Sequence, residues 1–152
     1  MESEIGFRKY DVVWIGKILG VTGSEQKGDR PGIIIQNNVG NKFSPTLIVL
    51  PLTTSIKSIA QPTHTVIHPD EWNGLSDVSM LLAEQVFTIG KEHLTKLGTI
   101  ESRTLQRKIF QCFISAAACG DEDAAEIIYI RRDKKNEKPQ VSLKARSACR
   151  YA

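Results

Sequence analysis

Short apolar runs, interrupted by turn-forming residues, limit what the first half of this chain can fold into. The runs are rich in Val, Ile and Leu and are bounded by Gly, Pro, Asn or Asp. Such runs are typical of β-strands, and none approaches the roughly 18 apolar residues that a membrane span needs. The predicted strands lie at residues 12–18, 32–36, 46–50, 63–68 and 78–89.

The segments between these runs predict loops and one irregular strand. Residues 20–31 and 37–45 are polar and contain Gly, which predicts loops. Pro51 cannot donate to a sheet ladder, so it predicts a kink or an edge where the third strand ends. The last strand is either continuous or interrupted near Glu84 and Gln85.

A helical period replaces the strand pattern after Ser102. Apolar residues recur there at steps of three and four, which places them on one face of a helix. They are Leu105, Ile109, Cys112, Phe113 and Ala116. Ser102 is the predicted N-cap and Gly120 the predicted C-cap, while residues 122–130 fit either more helix or a strand. We expect a mostly β, α+β fold, in which this helix closes a small, strongly curved, barrel-like sheet.

Composition narrows the class of protein further. The 152 residues fit one domain, and 41% apolar with 24% charged residues exclude a disordered chain, a collagen and a coiled-coil rod. The acidic N-terminal stretch MESEIGFRKYD does not fit a signal peptide, so a cytoplasmic location is expected. The three cysteines (Cys112, Cys119 and Cys149) lack the paired spacing of a zinc site or disulfide framework, so we expect them reduced.

Charge is divided unevenly along the chain. Residues 131–152 hold eight Lys/Arg and two Asp/Glu, a net charge of +6, whereas the other 130 residues hold 12 basic and 15 acidic groups, a net charge of −3. Nucleic-acid binding by the folded part would therefore need a local groove. The basic tail is expected to be a solvated, partly disordered end, with added phosphate affinity as the alternative.

One loop carries a resemblance to a known family. Residues 23–31 read GSEQKGDRP, which resembles the GSEQxGxRP signature of the MazF/PemK toxin endoribonucleases. Further matches follow in order: IQNN at 35–38, GNKFSPT at 40–46, LTT at 52–54, PTH at 62–64 and LAEQV at 82–86. The resemblance covers about residues 10–118. It predicts a toxin-like domain at 1–120 and a basic C-terminal extension at 121–152 that has no counterpart in the family.

The resemblance implies a fold, an activity and partners. Family members are compact, SH3-like, twisted antiparallel barrels that form homodimers. They cut single-stranded RNA at short sequences without a metal ion or cofactor, and leave a 2′,3′-cyclic phosphate and a 5′-hydroxyl. A small cognate antitoxin occupies the RNA groove. The family's catalytic Arg, Thr and loop Ser fall on Arg30, Thr53 and Ser24.

The chemistry of these residue types agrees with the implied roles. The planar guanidinium of Arg30 can donate to two phosphate oxygens at once, so it suits stabilisation of a phosphorane. It is a poor general base because arginine stays protonated at neutral pH, so we assign it charge stabilisation and proton donation to the leaving oxygen. The hydroxyls of Thr53 and Ser24 can donate to phosphate oxygens.

Two assignments stay open at this point. His64 and Glu25 are candidates for the general base, but a surface or cross-strand role is favoured for His64. Arg30 has the alternative of a structural salt bridge to Asp29, Glu25 or Asp11.

Polar loop residues and aromatic residues are expected to contact RNA. Glu84 and Gln85 suit the reading of base edges, with hydrogen bonds to loop backbone as an equal alternative. Phe43 and Trp14 suit base stacking, although Trp14 lies in an apolar run and is expected to pack inside the barrel. The predicted RNA-binding residues are Glu25, Gln26, Lys27, Phe43, Thr54, Ser55, Glu84 and Gln85.

Three positions depart from the family pattern. Tyr10 stands where a Gly usually precedes the first-strand Asp, Phe87 where an Arg is usual, and Gly90 where an Asp is usual. Loss of the Arg predicts a different RNA groove or dimer surface. Two other functions remain as hypotheses. One is a non-cleaving module that binds a protein such as DNA gyrase, and the other is a regulator whose basic tail binds nucleic acid nonspecifically.

Overall fold

The computed structural model describes residues 6–16, 29–57, 59–118, 129–131 and 140–142. In this part of the chain, a seven-stranded sheet and two helices form the main unit. The strands are β1 (Asp11–Ile15), β2 (Arg30–Ile34), β3 (Thr46–Thr53), β4 (His64–Ile67), β5 (Ser79–Leu82), β6 (Phe87–Gly90) and β7 (Leu94–Thr99). The helices are α1 (Asn38–Phe43) and α2 (Arg103–Ala118), and 3₁₀ turns at Ala83–Gln85 and Lys91–His93 precede β6 and β7.

All strand pairs of this sheet are antiparallel. The strands lie in the order β4-β5-β3-β2-β1-β7, and β6 also pairs with β3. The predicted antiparallel sheet with a C-terminal helix is confirmed, and the sheet is twisted rather than closed.

Strand β3 is central because its partner changes along its length. One edge pairs with β2 as far as Pro51, while the other pairs first with β6 and then, at Leu52 and Thr53, with β5. Ile35 N donates to Ile48 O at 3.0 Å, so these two residues form a hydrogen-bonded pair. Hydrogen-bonded and non-hydrogen-bonded pairs alternate along an antiparallel ladder, so the N atom of Pro51, three residues farther along β3, faces away from β2. That side is where β6 gives way to β5. The irregularity predicted at Pro51 is thus a change of partner, and the strand continues to Thr53.

The core has two buried clusters because successive residues of β1, β2 and β3 point to opposite faces. Val13, Ile34 and Val49 belong to one cluster, and Val12, Ile33 and Leu50 to the other. The second cluster includes Ile109 and Cys112 of α2, with Leu105, Phe113 and Ala116 packed against it. This packing confirms the predicted apolar face of α2. Each fully buried side chain of this size contributes roughly 1.5–3 kcal/mol.

Helix α1 corrects the prediction of a loop at residues 37–45. Asn37 caps it, because its Oδ1 accepts a hydrogen bond from Gly40 N at 2.9 Å. Asn41 is buried and its Nδ2 donates to Gln36 O at 3.0 Å, which holds the helix on the end of β2. A six-residue helix that contains Gly has little propensity of its own. Its polar sequence therefore looked like a loop.

Two further elements differ from their predictions. Residues 78–89 form two strands separated by the 3₁₀ turn, so the interrupted alternative is correct. Strand β7 was not predicted, since Lys96 and Gly98 break its apolar pattern. Ser102 does cap α2, because its Oγ accepts from Leu105 N at 3.3 Å. The predicted C-cap Gly120 and the strand residue Ile18 lie outside the described residues.

The start of β1 is fastened by a buried carboxylate. Asp11 is fully buried, with its Oδ2 3.0 Å from Lys96 Nζ and accepting from Arg8 N at 2.8 Å. Its Oδ1 accepts from Thr99 Oγ1 at 2.6 Å. The preceding residue, Tyr10, has a φ of +72°, in the left-handed region that favours glycine.

The C-terminal extension contributes a second, small sheet. Strands β8 (Tyr129–Arg131) and β9 (Gln140–Ser142) pair antiparallel. The end of the ambiguous segment 122–130 is therefore a strand, and residues 121–128 lie outside the described part. Among the helices described here, none has the length and apolar character to cross a bilayer.

Candidate active site

The register of β2 and β3 brings Arg30 and Thr53 to the same place. Their ladder ends with Gly32 opposite Pro51. Continuing this register by two residues puts Arg30 opposite Thr53, on one face of the sheet and at a position without mutual backbone hydrogen bonds, where side chains lie closest. Both residues line one open cleft of ≈ 490 Å³. Two of the three predicted catalytic residues therefore share a cleft.

The cleft has an apolar part and a polar part. The apolar lining is Trp14, Pro31, Leu52, Leu75 and Leu97. The polar and charged lining is Asp29, Arg30, Thr53, Thr54, Ser76, Asp77 and Ser79, and Gly74 also lines the cleft. Such a surface offers charged donors and hydroxyls for a phosphate beside apolar faces for a planar ring.

Trp14 corrects an expectation, because it is not packed inside the sheet. It is 40% exposed and contributes to the cleft wall. It lies on the same strand face as Val12, but farther along β1 than the buried cluster extends. Its partners across the sheet, Pro31 and Thr95, do not cover it. The base-stacking alternative is therefore available to this side chain.

Arg30 is half-buried at the start of β2. Burial lowers the pKa of its guanidinium from the ordinary value. Partial removal of water also strengthens the attraction between this group and an anion. A salt bridge to Asp11 was one structural alternative for Arg30, but the Asp11 carboxylate is already held by Lys96 and Thr99.

The hydroxyl of Thr53 is oriented by a local turn. Its Oγ1 accepts a hydrogen bond from Ser55 N at 3.1 Å, so the hydroxyl hydrogen can be donated elsewhere. Thr54 also lines the cleft, and the exposed Ser55 does not. The end of β3 thus contributes two hydroxyl-bearing residues to the cleft that Arg30 also lines.

Another part of the lining comes from the loop before β5, which was not assigned to the site from the sequence. Asp70 Oδ1 accepts from the backbone N of Trp72 and of Asn73, each at 2.8 Å. The buried Asn73 donates to His68 O at 2.9 Å and accepts from Leu75 N at 3.0 Å. The turn-forming residues of PDEWNG at 69–74 are the one signal that could have indicated this ordered loop.

This loop rests directly on β7. Trp72 O accepts a hydrogen bond from Thr99 N at 2.9 Å. A Cβ atom on Gly74 would collide with Leu97 O, and one on Gly98 with Trp72 O. Gly74 also has a φ of +69°. Backbone contact therefore fixes the position of this loop on β7.

His64 and Glu84 form a pair outside the cleft lining. His64 is 8% exposed, and its Nε2 lies 2.8 Å from Glu84 Oε1. This contact joins β4 to the 3₁₀ turn after β5, which fits the structural alternative for His64. Gln85 Oε1 is buried and has no hydrogen-bond partner in the described part of the chain. The structure does not bring Glu84 or Gln85 to Arg30.

The other predicted site residues lie elsewhere. Phe43 is 75% exposed on α1, with Lys42 Nζ 5.2 Å from its ring centroid, and is not part of the cleft lining. The loop residues Ser24, Glu25, Gln26 and Lys27 lie outside the described residues. In the described ranges, no group of three or more His, Cys, Asp or Glu side chains is arranged to hold a metal ion.

Solved structures share this fold. The structure of MazF from Deinococcus radiodurans superposes with a TM-score of 0.58 at 19% identity, covering 71% of this chain and 93% of that one. A mycobacterial endoribonuclease in complex with its cognate antitoxin gives a TM-score of 0.56 at 24% identity, covering 72% and 92%. The twisted sheet with its C-terminal helix is thus the fold of the MazF toxins.

Sequence comparison identifies the family. The pattern of the PemK-like, MazF-like toxins of type II toxin–antitoxin systems matches residues 8–113, so the chain belongs to that family. Endoribonuclease EndoA of Bacillus subtilis is 43% identical over 83 residues, which are 55% of this chain and 71% of the relative. Endoribonuclease MazF of Staphylococcus saprophyticus is 43% identical over 97 residues, which are 64% of this chain and 80% of the relative. The resemblance seen in residues 23–31 is confirmed.

Proposed function

We propose that this protein is an endoribonuclease toxin that cleaves single-stranded RNA at specific short sequences. The observation that carries the proposal is the cleft shared by Arg30 and Thr53. Family membership supports it, as do the names of the curated relatives, which are endoribonucleases. The substrate's scissile phosphate would lie between the guanidinium and the hydroxyls at the end of β3.

The proposed reaction uses the RNA's own 2′-hydroxyl as nucleophile and needs no metal ion. Attack on phosphorus forms a dianionic phosphorane, and loss of the 5′-oxygen leaves a 2′,3′-cyclic phosphate and a 5′-hydroxyl. Arg30 donates to the phosphorane oxygens and supplies a proton to the leaving oxygen. A preorganised donor of this kind typically lowers the barrier by about 2.7–4 kcal/mol, or 10²–10³ in rate.

The neighbouring groups position the RNA. Thr53 and Thr54 donate to a non-bridging phosphate oxygen, and Ser24, which precedes Arg30 in the sequence, does so as well. Trp14 stacks on a base next to the scissile phosphate, an interaction worth roughly 1–3 kcal/mol per base. Glu25, Gln26 and Lys27, from the same sequence motif, complete the proposed RNA contacts.

The proposed partners follow from the same site. One structural neighbour is a complex with a cognate antitoxin, so we expect an antitoxin to bind this chain and to exclude RNA from the cleft. We also propose that this chain acts as a homodimer in the cytoplasm.

The test is cleavage of a panel of single-stranded RNAs in EDTA by the full chain. Arg30→Ala should lose at least about 100-fold in rate, and Arg30→Lys should recover only part of it because lysine lacks the bidentate fork. Thr53→Val removes the hydroxyl at nearly constant volume and should also slow cleavage. Arg107→Ala, on the exposed side of α2, is the matched arginine control and should cleave at the wild-type rate.

Product chemistry provides the second readout. A 2′-deoxy nucleotide at the cut site should block cleavage, and the products should carry 5′-hydroxyl ends. A requirement for a divalent ion, or an Arg30→Ala variant as fast as wild type, would contradict the proposal. A chain that leaves every RNA intact and binds DNA gyrase would favour the non-cleaving module instead.

A further inference from the structure

We propose that Asp77 is the general base of this reaction, with its Oδ1 accepting the proton of the attacking 2′-hydroxyl. The inference rests on the proposed ribonuclease function and adds a residue that the sequence pattern did not indicate. The cleft contains the Asp77 carboxylate beside side chains that can bind an anion.

The reaction needs a proton acceptor that reaches the substrate. The sequence offered His64 and Glu25 as candidates. His64 is buried against Glu84 and is not part of the cleft lining, and Glu25 lies outside the described residues. The charged groups among the described lining residues are Arg30, Asp29 and Asp77. Only the two carboxylates can accept a proton at neutral pH, since an arginine is already protonated.

Asp77 is placed and oriented for this role. Asp77 lines the same cleft as Arg30 and Thr53 and belongs to the loop that leads into β5, so the ribose of a phosphate held by these two residues would lie within reach of this loop. Ser76 Oγ donates to Asp77 Oδ2 at 3.0 Å. Buried Ser79 donates from its Oγ to the Asp77 carbonyl at 3.0 Å. These bonds hold the carboxylate and its backbone, and no described residue donates to Oδ1.

Asp29 is less suited to the role. It is exposed, as Asp77 is, but no described residue donates a hydrogen bond that would orient its carboxylate, whereas Ser76 orients that of Asp77. Lys96 on β7 is engaged with Asp11 and is not part of the cleft lining.

The proton and bond changes balance as follows. The O2′–H proton moves to Asp77 Oδ1 as the O2′–P bond forms. The P–O5′ bond then breaks, and the leaving oxygen takes a proton from Arg30. Asp77 releases its proton to water and Arg30 regains one from water, so the chain returns to its starting state. Ser76 is a positioning residue, which acts by holding the Oδ2 of Asp77.

The experiment is a pH–rate profile of RNA cleavage by the full chain, with Asp77→Asn beside wild type. General-base catalysis typically contributes 10²–10⁴-fold, so the variant should lose at least about 100-fold in kcat. Loss of a general base removes the acidic limb of a kcat profile, so that limb should be present in wild type and absent in the variant. RNA binding should be retained or tightened, because a negative charge leaves the cleft.

Matched variants separate the base from simple charge effects. Asp29→Asn removes the same charge from the same cleft and should keep the acidic limb of the profile. Glu101→Gln, an exposed carboxylate outside the cleft, should match wild type in rate. Ser76→Ala should reduce kcat more than it raises KM, because the Ser76 hydroxyl hydrogen is donated to the Asp77 carboxylate and its loss loosens that group.

The outcomes for Asp77 and for the ribonuclease proposal are distinct. If wild type cleaves RNA, and Asp77→Asn cleaves equally fast with the same acidic limb, the assignment of Asp77 is wrong and the function stands. If Asp29→Asn loses the limb instead, Asp29 is the base and our assignment fails. If wild type cleaves no RNA at any pH, the ribonuclease proposal itself fails. A melting curve of Asp77→Asn that matches wild type shows that any loss is not unfolding.

Discussion

At the scale of single residues, Tyr10 holds a backbone conformation that a side chain opposes. Its φ is +72°. Its N–H donates to Ile34 O at 2.7 Å and its carbonyl accepts from Ile100 N at 3.0 Å, so the surrounding backbone holds it there. The left-handed conformation costs a residue with a side chain roughly 1–2 kcal/mol. The glycine usual at this position of the family is explained by the same geometry.

We predict that Tyr10→Gly is more stable than Tyr10→Ala by about 1 kcal/mol. Both variants lose the ring, which packs against the core and lies 5.2 Å from Lys9 Nζ, but only glycine relieves the backbone. Urea unfolding of the two variants measures the difference. Equal stabilities would show that the conformation at this position costs the fold nothing.

At the scale of elements, α1 depends on its N-cap more than on its sequence propensity. Asn37→Ala removes the acceptor for Gly40 N and should destabilise the protein by about 1 kcal/mol. Asn37→Ser keeps a capping oxygen and should lose less. Thermal unfolding of both variants checks the prediction. If alanine and serine are tolerated equally, packing of Asn41 rather than the cap holds the helix.

The predictable elements are those with several agreeing local signals. The β-branched runs of β1, β2 and β3 and the apolar face of α2 left few alternatives. Helix α1 instead depends on one side-chain hydrogen bond at Asn37. Strand β7 gains its partners only when β1 lies beside it, with a shift in register between Val12 and Val13. Neither signal is visible in local hydrophobic periodicity.

The site was predictable to the extent that its residues lie in a recognisable motif. Arg30 and Thr53 were identified through the family resemblance, and strand register places them together. The burial of His64 against Glu84 depends on pairing between distant segments. Asp77 was not predicted because a contact between Trp72 and Gly98 positions the loop that carries it. No local sequence pattern predicts that contact.

At the scale of the whole molecule, charge is divided between a net-acidic part and the basic residues 131–152. The part of the chain outside residues 131–152 has a net charge of −3, so the positive groups of the cleft act locally. The family match ends at residue 113, before the extension begins. We therefore propose that residues 1–120 cleave RNA and that the extension adds phosphate contacts.

Deleting residues 131–152 should leave cleavage intact and weaken RNA binding mainly at low salt. Each lost contact to a single-strand phosphate should reduce the slope of log K against log salt by about 0.7. Titrations of RNA binding at several salt concentrations measure this. A matched full-length variant with Lys134, Lys135 and Lys138 changed to Gln should show a smaller shift of the same sign. An unchanged slope in both would mean that the extension does not touch RNA.

The backbone contacts at Gly74 and Gly98, beneath the loop that carries Asp77, affect how the target specificity of this enzyme can evolve. Main chain rests on main chain at Gly74 and Gly98, so the position of the loop on β7 does not depend on the side chains that the loop presents to the cleft. Mutations at those facing positions can retune which nucleotides are accepted while the catalytic spacing stays constant. Target specificity can therefore change through substitutions in the cleft while the catalytic residues keep their positions.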